Sequence, residues 1–252
     1  MRAAFPKTMQ MWFTGDDGSN QGAPDNQFWG PGEHRSPGRR SRSLQGTTPM
    51  HDAHEGGGKR HHPKFADKTP RRGTSFWMHD PDELFAAIGL EPGQRFLDIG
   101  CGPGEYSLHA AGIVGETGSV LALDRNETLI DALIGTAASQ GLHNLSALAA
   151  DATQPLPADT DGFDVCLLST VLHIPPVTAR AAELAAEIKR VLRPGGRLAV
   201  IECPKHDLSF GPPAHMRLGP DAVRDIFTPL GFTPRDELDL GFNYMVLFDA
   251  AS

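Results

Sequence analysis

The sequence predicts an α/β fold, a doubly wound and mostly parallel sheet with helices on both faces. Three observations carry this. From residue 95 onward, short apolar strand-like runs alternate with helix-period segments, the pattern of successive βαβ units. The fourth run, Phe163–Ser169 (FDVCLLS), is uniformly apolar after Asp164, as befits a strand covered on both faces. The first run passes straight into a glycine-rich turn, FLDIGCGPGEYS from Phe96 to Ser107. A strand, a tight glycine turn and a helix N-terminus form a cradle for a polar ligand, because glycine admits close backbone approach and the helix end offers unpaired N–H groups.

The elements follow in order. Order is expected from about Ser75, where Phe76, Trp77 and Met78 are bulky. Asp80-Pro81 followed by Asp82 and Glu83 predicts a helix start, since proline suits the first turn and acidic groups suit the positive helix end. Leu84, Phe85, Ile88 and Leu90 give that helix an apolar face, and Glu91-Pro92-Gly93 ends it as a turn. Strands are expected at Arg95–Ile99, Ser119–Leu123, Leu145–Ala149, Phe163–Ser169 and Arg197–Glu202. Helices are expected at Tyr106–Val114, Glu127–Gln140 and Ala179–Leu192, the last with Ala182, Leu184, Ile188 and Leu192 at helical spacing. Arg193-Pro194-Gly195-Gly196 reads as a turn. A final helix over Pro220–Leu230 stops at Gly231, and Thr233–Leu240 and Asn243–Phe248 close the chain as two strands.

Residues 1–72 read as a disordered, basic, Gly/Pro/His-rich extension, and residues 73–252 as the folded domain. Met50 opens a segment that would also serve as a protein start, so residues 1–49 are expected to be a poorly structured extension. Pro31–Ser43 (PGEHRSPGRRSRS) is a basic low-complexity patch, read as a solvated tail. His51, His54, His61 and His62 cluster without a cysteine or ordered framework; weak, adventitious metal binding is the expectation, and no metal site follows.

The net charge of −8 is unevenly placed. Residues 1–75 hold 12 Lys/Arg against 7 Asp/Glu, and residues 76–252 hold 11 against 24. The compact part is therefore acidic, which argues against a large nucleic-acid footprint, because phosphate contacts need a basic face. No apolar run reaches the ~18 residues of a transmembrane helix. Three scattered cysteines, Cys101, Cys166 and Cys203, fit a reduced cytoplasmic protein rather than a disulfide scaffold.

In a doubly wound sheet, ligands bind outside the carboxyl ends of the strands near the topological switch point. Four pieces converge there. They are the Gly100–Gly104 turn, Asp124 after the second strand, Asp151-Ala152 after the third, and Ser169–Ile174 (STVLHI) after the fourth. Asp124 is placed to accept from two ribose hydroxyls, about the expected ~20 residues beyond the glycine turn. Asp151 is placed to accept from an exocyclic amine of adenine, with the Ala152 N–H reading a ring nitrogen. The rival is a dinucleotide oxidoreductase, whose fingerprint is G-x-G-x-x-G. Here the spacing is G-x-G-x-G, with Glu105 at the third glycine position, Pro103 in the turn and Asp98 inside the strand. Acidic groups near the turn repel a pyrophosphate and favour a ligand with a cationic end, an ammonium or a sulfonium.

FLDIGCGPG, LALD, AADA, FDVCLLSTVLHI and RVLRPGGRLAVIE together resemble the ordered motifs of class I S-adenosylmethionine-dependent methyltransferases. The resemblance runs from Phe96 to about Glu202, and IECPK (Ile201–Lys205) is similar to the segment after strand five in UbiE-type quinone C-methyltransferases. It implies a Rossmann-like sheet of seven strands, order 3-2-1-4-5-7-6, with only strand seven antiparallel. It also implies that Asp98, Gly100, Cys101, Gly102 and Gly104 hold the methionine end of S-adenosylmethionine. Asp124 would bind the ribose, with Arg125 beside the adenine and Asp151 and Ala152 at its edge. Ser169 and Thr170 would line the methionine side and Tyr106 the pocket mouth.

Methyl transfer is an in-line displacement that needs alignment first, and a base only where the acceptor arrives protonated. His173 is the candidate base, its competing role being to orient the loop; His79, His206 and His215 are weaker candidates. Cys101 sits near a helix N-terminus, which lowers thiol pKa, but reads better as a small loop residue. Cys101 and Cys203, as neighbours at the strand ends, would admit a soft metalloid acceptor, an option weakened by a core-facing Cys166. Tyr244 reads as a strand residue of the closing hairpin. Phe76–His79 and Lys205–Leu218 mix aromatic, methionine, proline and histidine residues, which suits a small, partly apolar acceptor. The STVL sequence after strand four lacks a DPPY-type motif, which argues against DNA adenine methylation. The expected function is methyl transfer from S-adenosylmethionine to a small molecule. The alternatives are a dinucleotide-dependent oxidoreductase and a methyltransferase acting on RNA or protein.

Overall fold

The computed structural model describes residues 74–205 and 211–251. The extension over residues 1–72, with its basic patch and histidine cluster, lies outside the described residues, and so does His206. A single seven-stranded sheet organises the chain, in the order β3-β2-β1-β4-β5-β7-β6. The strands are β1 (Arg95–Ile99), β2 (Ser119–Asp124), β3 (Leu145–Ala149), β4 (Phe163–Ser169), β5 (Leu192–Glu202), β6 (Phe232–Asp239) and β7 (Tyr244–Ala250). Strands β1 to β5 pair in parallel, and β7 runs antiparallel between β5 and β6. The expected order and the antiparallel seventh strand are both present.

The described residues hold six α-helices, α1 before the first strand and the others between strands: α1 (Pro81–Ile88), α2 (Glu105–Val114), α3 (Glu127–Ser139), α4 (Pro175–Thr178), α5 (Ala181–Val191) and α6 (Pro220–Phe227). Local chemistry sets their ends. The Asp80 carboxylate accepts from the N–H groups of Asp82 and Glu83, with Pro81 in the first turn. Asn126 caps α3 in the same way through Thr128 and Leu129. Both devices satisfy N–H groups that a helix start leaves unpaired.

The two-residue period of each strand divides the core. Leu97 and Ile99 of β1 face a cluster with Leu184, Ala185 and Ile188 of α5 and Val223 and Phe227 of α6. Phe96 faces the opposite cluster, with Leu84, Phe85 and Ile88 of α1 and Tyr106 and Ala110 of α2. Asp98 shares the Phe96 face by the same period, which brings its carboxylate to Ser107 of α2. At one sheet edge, β6 is largely exposed and carries Pro234, Arg235, Asp236 and Glu237, with a register shift between Pro234 and Asp236. Proline, charge and an irregular register all discourage pairing with a further strand. Behind it, Phe227, Phe232 and Phe248 pack ring against ring, 5.4–6.3 Å between centroids.

Three expected boundaries differ. The helix expected over Ala179–Leu192 runs from Ala181 to Val191, and an unexpected four-residue helix led by Pro175 precedes it and ends at Thr178. The expected turn Arg193–Gly196 is absorbed into β5 as an irregularity: Phe163 pairs Leu192, whereas Val165 pairs Arg197. Gly195 takes φ +71° there. The final helix ends at Phe227, and Thr228–Leu230 tightens into a 3₁₀ turn, since Pro229 has no N–H to continue the ladder.

The aromatic triad carries a stability expectation. Phe248→Ala, which empties the space between Phe227 and Phe232, is expected to cost about 3–5 kcal/mol in urea denaturation, with the slope of the transition unchanged.

Candidate functional site

The site lies at the carboxyl ends of the parallel strands, where the connections from β1 and β4 leave the sheet in opposite directions. Its centre is the turn after β1. The N–H groups of Gly100 and Cys101 both donate to the Leu123 carbonyl, at 2.7 and 2.9 Å. The Gly102 N–H donates to Asp124 Oδ2 at 2.9 Å. The turn of β1 is therefore fastened to the end of β2. Two glycines are required for different reasons. At Gly100 (φ +75°) a Cβ would collide with the Val171 side chain. At Gly102 (φ +55°) a Cβ would meet nothing within 4 Å, so this backbone faces open space. Gly104 heads α2, packed against Leu133.

Two cavities meet at Gly100. The first, about 290 Å³, is lined by Asp124, Arg125, Asp151, Ala152 and Thr153 at its polar rim, and by Leu156, Val171, Ile174 and Val177 as an apolar slot. Asp124 uses each oxygen once: Oδ2 accepts from Gly102 and Oδ1 from the Asn126 N–H at 2.9 Å. A carboxylate has about four acceptor positions, so it retains capacity for further donors. Asp151 is exposed, and its Oδ1 accepts from the N–H and hydroxyl of Thr153, both at 2.8 Å. Those two bonds are the main reason its carboxyl is held below the usual carboxylate range. Leu156 is set in the slot by α5, whose Glu187 accepts from its N–H at 2.8 Å and whose Arg190 donates to its carbonyl at 3.1 Å.

The second cavity, about 280 Å³, is lined by the other side of the turn (Cys101, Gly102, Pro103), by Glu105 and Tyr106 of α2, and by Ser169, Thr170 and His173 after β4. Thr74, Ser75 and Met78 bound it on the N-terminal side, and Cys203, Gly211, Pro212 and Asn243 on the β5 side. Thr170 holds φ +55°, a left-handed conformation costly for a β-branched residue, of the order of 1–3 kcal/mol; it lets the Thr170 N–H reach the Ile201 carbonyl at 2.7 Å.

A hydrogen-bond chain closes one wall. Tyr106 Oη lies 2.9 Å from His79 Nε2 and 3.1 Å from Ser75 Oγ, and Ser75 Oγ lies 2.9 Å from Ser169 Oγ. Burial lowers the His79 pKa to about 4, overcoming the opposing charge of Asp80, so this imidazole is neutral near pH 7. On the facing wall, His173 Nδ1 lies 2.9 Å from Oε2 of Glu202, a carboxylate with no solvent exposure at the end of β5.

The expected site residues fall into groups. Gly100, Asp124, Arg125, Asp151 and Ala152 line the first cavity; Gly100, Cys101, Gly102, Ser169, Thr170, His173 and Tyr106 line the second. Asp98, buried in β1, and Gly104, at the head of α2, lie outside both linings. Asp98 accepts from Ser107 Oγ at 2.6 Å. Burial raises the Asp98 pKa to about 7, the Ser107 bond opposing and the charges of Asp124 and Glu105 adding to the rise. The reactive-thiol option at Cys101 fails: burial pushes this thiol upward, reinforced by Asp98 and Asp124. Burial raises Cys203 as well, and Cys166 is fully buried in β4. His215 is exposed on a short 3₁₀ turn, and Tyr244 belongs to β7, its hydroxyl donating to the Leu218 carbonyl.

Glu202, Asn243, Thr74, Leu156 and Val177 were outside the sequence-based expectations, whereas Val171 and Ile174 fall within the expected Ser169–Ile174 segment. For Glu202 a signal exists: a carboxylate closing the otherwise apolar run RLAVIE at a strand's carboxyl end.

Comparison with known proteins agrees with this geometry. Residues 90–229 match the family model described as a methyltransferase domain. The chain is 32% identical over 136 residues to a ubiquinone/menaquinone biosynthesis C-methyltransferase of Shewanella frigidimarina, covering 53% of this chain and 51% of that protein. It is 33% identical over 145 residues to the protein of the same name from Azotobacter vinelandii, covering 56% and 53%. The chain thus spans about half the length of the curated relatives it matches. Among solved structures, a SAM-dependent methyltransferase from Aquifex aeolicus shares the fold with a TM-score of 0.64 at 24% identity, covering 69% of this chain and 91% of that one. A SAM-dependent methyltransferase from Methanosarcina mazei shares it with a TM-score of 0.53 at 19% identity, covering 67% and 97%.

The raised Asp98 pKa fixes a pH dependence. The folded state holds this proton more tightly than the unfolded chain, whose value is 3.8, so stability falls as pH rises between about 4 and 7 and stays lower above. Between pH 5 and 8 the Asp98 contribution is a loss of about 2–3 kcal/mol. Asp98→Asn, which can still accept from Ser107, is expected to remove most of that decline in denaturation curves at the two pH values.

Proposed function

Because the chain belongs to the methyltransferase domain family, we propose that it transfers a methyl group from S-adenosylmethionine to a small-molecule acceptor by in-line displacement. The observation that carries this reading is the pair of cavities joined at Gly100, one with an apolar slot behind Asp124, the other acidic and bounded by the open backbone of Gly102. The first would take the adenosine. Its slot of Leu156, Val171, Ile174 and Val177 suits a planar ring, Asp124 has acceptor capacity left for the ribose hydroxyls, and Asp151, Ala152 and Arg125 stand at the ring edge. The second would take the amino acid end over Gly102. Asp98, Glu105 and Asp124 give this region a negative field, which favours a ligand carrying ammonium and sulfonium charges.

The residues therefore fit the cofactor. When bound, it would supply an already activated methyl group. The protein's part is to bind, exclude water and align the acceptor. Two cavities of under 300 Å³ each leave room for a small acceptor beside the amino acid end. The acidic compact domain and the relatives named for quinone biosynthesis support a small-molecule acceptor over RNA. Against the oxidoreductase alternative, Glu105 opens α2 where a pyrophosphate would need a close, uncharged helix start. Among the described residues no helix is long and apolar enough to cross a membrane; the unpaired cysteines support a reducing compartment, the cytoplasm.

Calorimetric titration checks the reading. S-adenosylmethionine is expected to bind the full chain at micromolar concentration, and Asp124→Ala to weaken it about 100-fold, the value of two hydrogen bonds to a charged group. Binding of NADH in place of S-adenosylmethionine, or unchanged affinity in Asp124→Ala, would contradict it.

A further inference from the structure

Glu202 has no exposed surface, and each contact recorded for its carboxylate is to an N–H group or an imidazole nitrogen. Oε1 accepts from the His173 N–H at 3.3 Å, and Oε2 accepts from the Cys203 N–H at 3.3 Å and faces His173 Nδ1 at 2.9 Å. A carboxylate so placed only accepts, so in the neutral imidazole the proton belongs on Nδ1, with the lone pair on Nε2. His173 lines the second cavity. Asn243, 2% exposed, also lines it. Its amide nitrogen is spent on the Glu202 carbonyl and on Cys203 Sγ, while its Oδ1 is buried with no partner among the described residues. Buried polar atoms are seldom left unsatisfied, and Asn243 is one of the residues that line the second cavity.

Among the other ionisable groups there, the Glu105 carboxylate accepts from Trp77 Nε1 at 3.2 Å, and the tyrosine and the two thiols are unsuited to take a proton. Tyr106 is bonded to His79 and Ser75 and pushed upward by burial, and burial also raises the Cys101 and Cys203 thiols.

We infer that the second cavity is a general-base acceptor site for a small hydroxyl-bearing molecule, in which Glu202-held His173 removes the acceptor's proton and Asn243 Oδ1 accepts a second hydrogen bond from the same molecule. This rests on the methyl-transfer reading. The balance is simple. The O–H proton passes to His173 Nε2, the oxygen's electron pair forms the new bond to the methyl carbon, and the carbon–sulfur pair returns to sulfur, leaving a neutral thioether. A hydroxyl needs this help, because it is a weak nucleophile until deprotonated, whereas a neutral amine already offers its lone pair. His173 is the catalytic residue, Glu202 a positioning residue and Asn243 a specificity residue.

The test joins a spectroscopic and a chemical readout on the full chain. Nitrogen NMR of histidine-labelled protein is expected to show His173 protonated at Nδ1 at pH 8, and Glu202→Gln to scramble that tautomer. Labelled S-adenosylmethionine is then offered with matched pairs of small phenols and enols, each beside its own methyl ether. Methylation is expected only of the free hydroxyl members. His173→Gln is expected to lower kcat roughly 10²–10⁴-fold, and Glu202→Gln at least about tenfold. Asn243→Leu is expected to act mainly on KM. All three should keep their affinity for S-adenosylmethionine, which also shows that they fold. A proton found on Nε2, full turnover in His173→Gln, or no methylated hydroxyl from a protein that binds S-adenosylmethionine overturns the inference. Failure to bind S-adenosylmethionine overturns instead the reading on which it rests.

Discussion

The site depends on one bond, from the Gly102 N–H to the Asp124 carboxylate. It joins the turn after β1 to the end of β2, and with the two N–H groups on the Leu123 carbonyl it sets the turn's height above the sheet. That height decides the rest. Gly100 is pressed against Val171, so the loop after β4 is fixed relative to the turn, and the crevice is divided into two compartments meeting at one glycine. The same carboxylate keeps acceptor positions facing the first compartment. One side chain thus serves as structural clamp and proposed ligand contact, and its loss disturbs both.

Charge is arranged with similar economy. The alternation of β1 sends Asp98 to the α2 face, where it is buried under the turn rather than beside a ligand, bonded to Ser107. Its elevated pKa reflects a carboxylate deprived of water and set near Asp124 and Glu105. Such a group is a stability burden at neutral pH, and a cation near the turn would relieve it. The proposed cofactor would bring that cation, so the burden on folding and the preference for a positively charged ligand have one origin.

Much of this was legible in the sequence. The five parallel strands and the cradle follow from the apolar runs and their flanking glycines, whereas the strand order comes from the resemblance to class I S-adenosylmethionine-dependent methyltransferases. Asp124, Asp151 and His173 could be placed because each lies at or within a few residues of a strand's carboxyl end, and strand ends define where a doubly wound sheet binds. What sequence hid is side-chain direction and distance along the chain. Glu202 reads as the polar end of a strand, yet a separation of 29 residues closes to a hydrogen bond with His173. Asn243 lies in the turn of the closing hairpin and reaches the site only because β7 runs back beside β5. Leu156 enters the first cavity through Glu187 and Arg190, whose hydrogen bonds to it no local pattern announces. The residues at the proline-led α4 and the irregular start of β5 misled for a related reason: tertiary packing, not local propensity, chose where those elements begin.

The central claim is that a single ligand spans both compartments across Gly100, and a crystal structure of the complex with S-adenosylhomocysteine tests it most directly. The expected density places the adenine in the slot between Asp151 and Val177, the ribose hydroxyls on Asp124, and the amino acid end over Gly102 toward Tyr106, with His173 and Asn243 still uncovered. Density confined to one compartment, or an amino acid end directed away from the Gly102 backbone, would contradict the account.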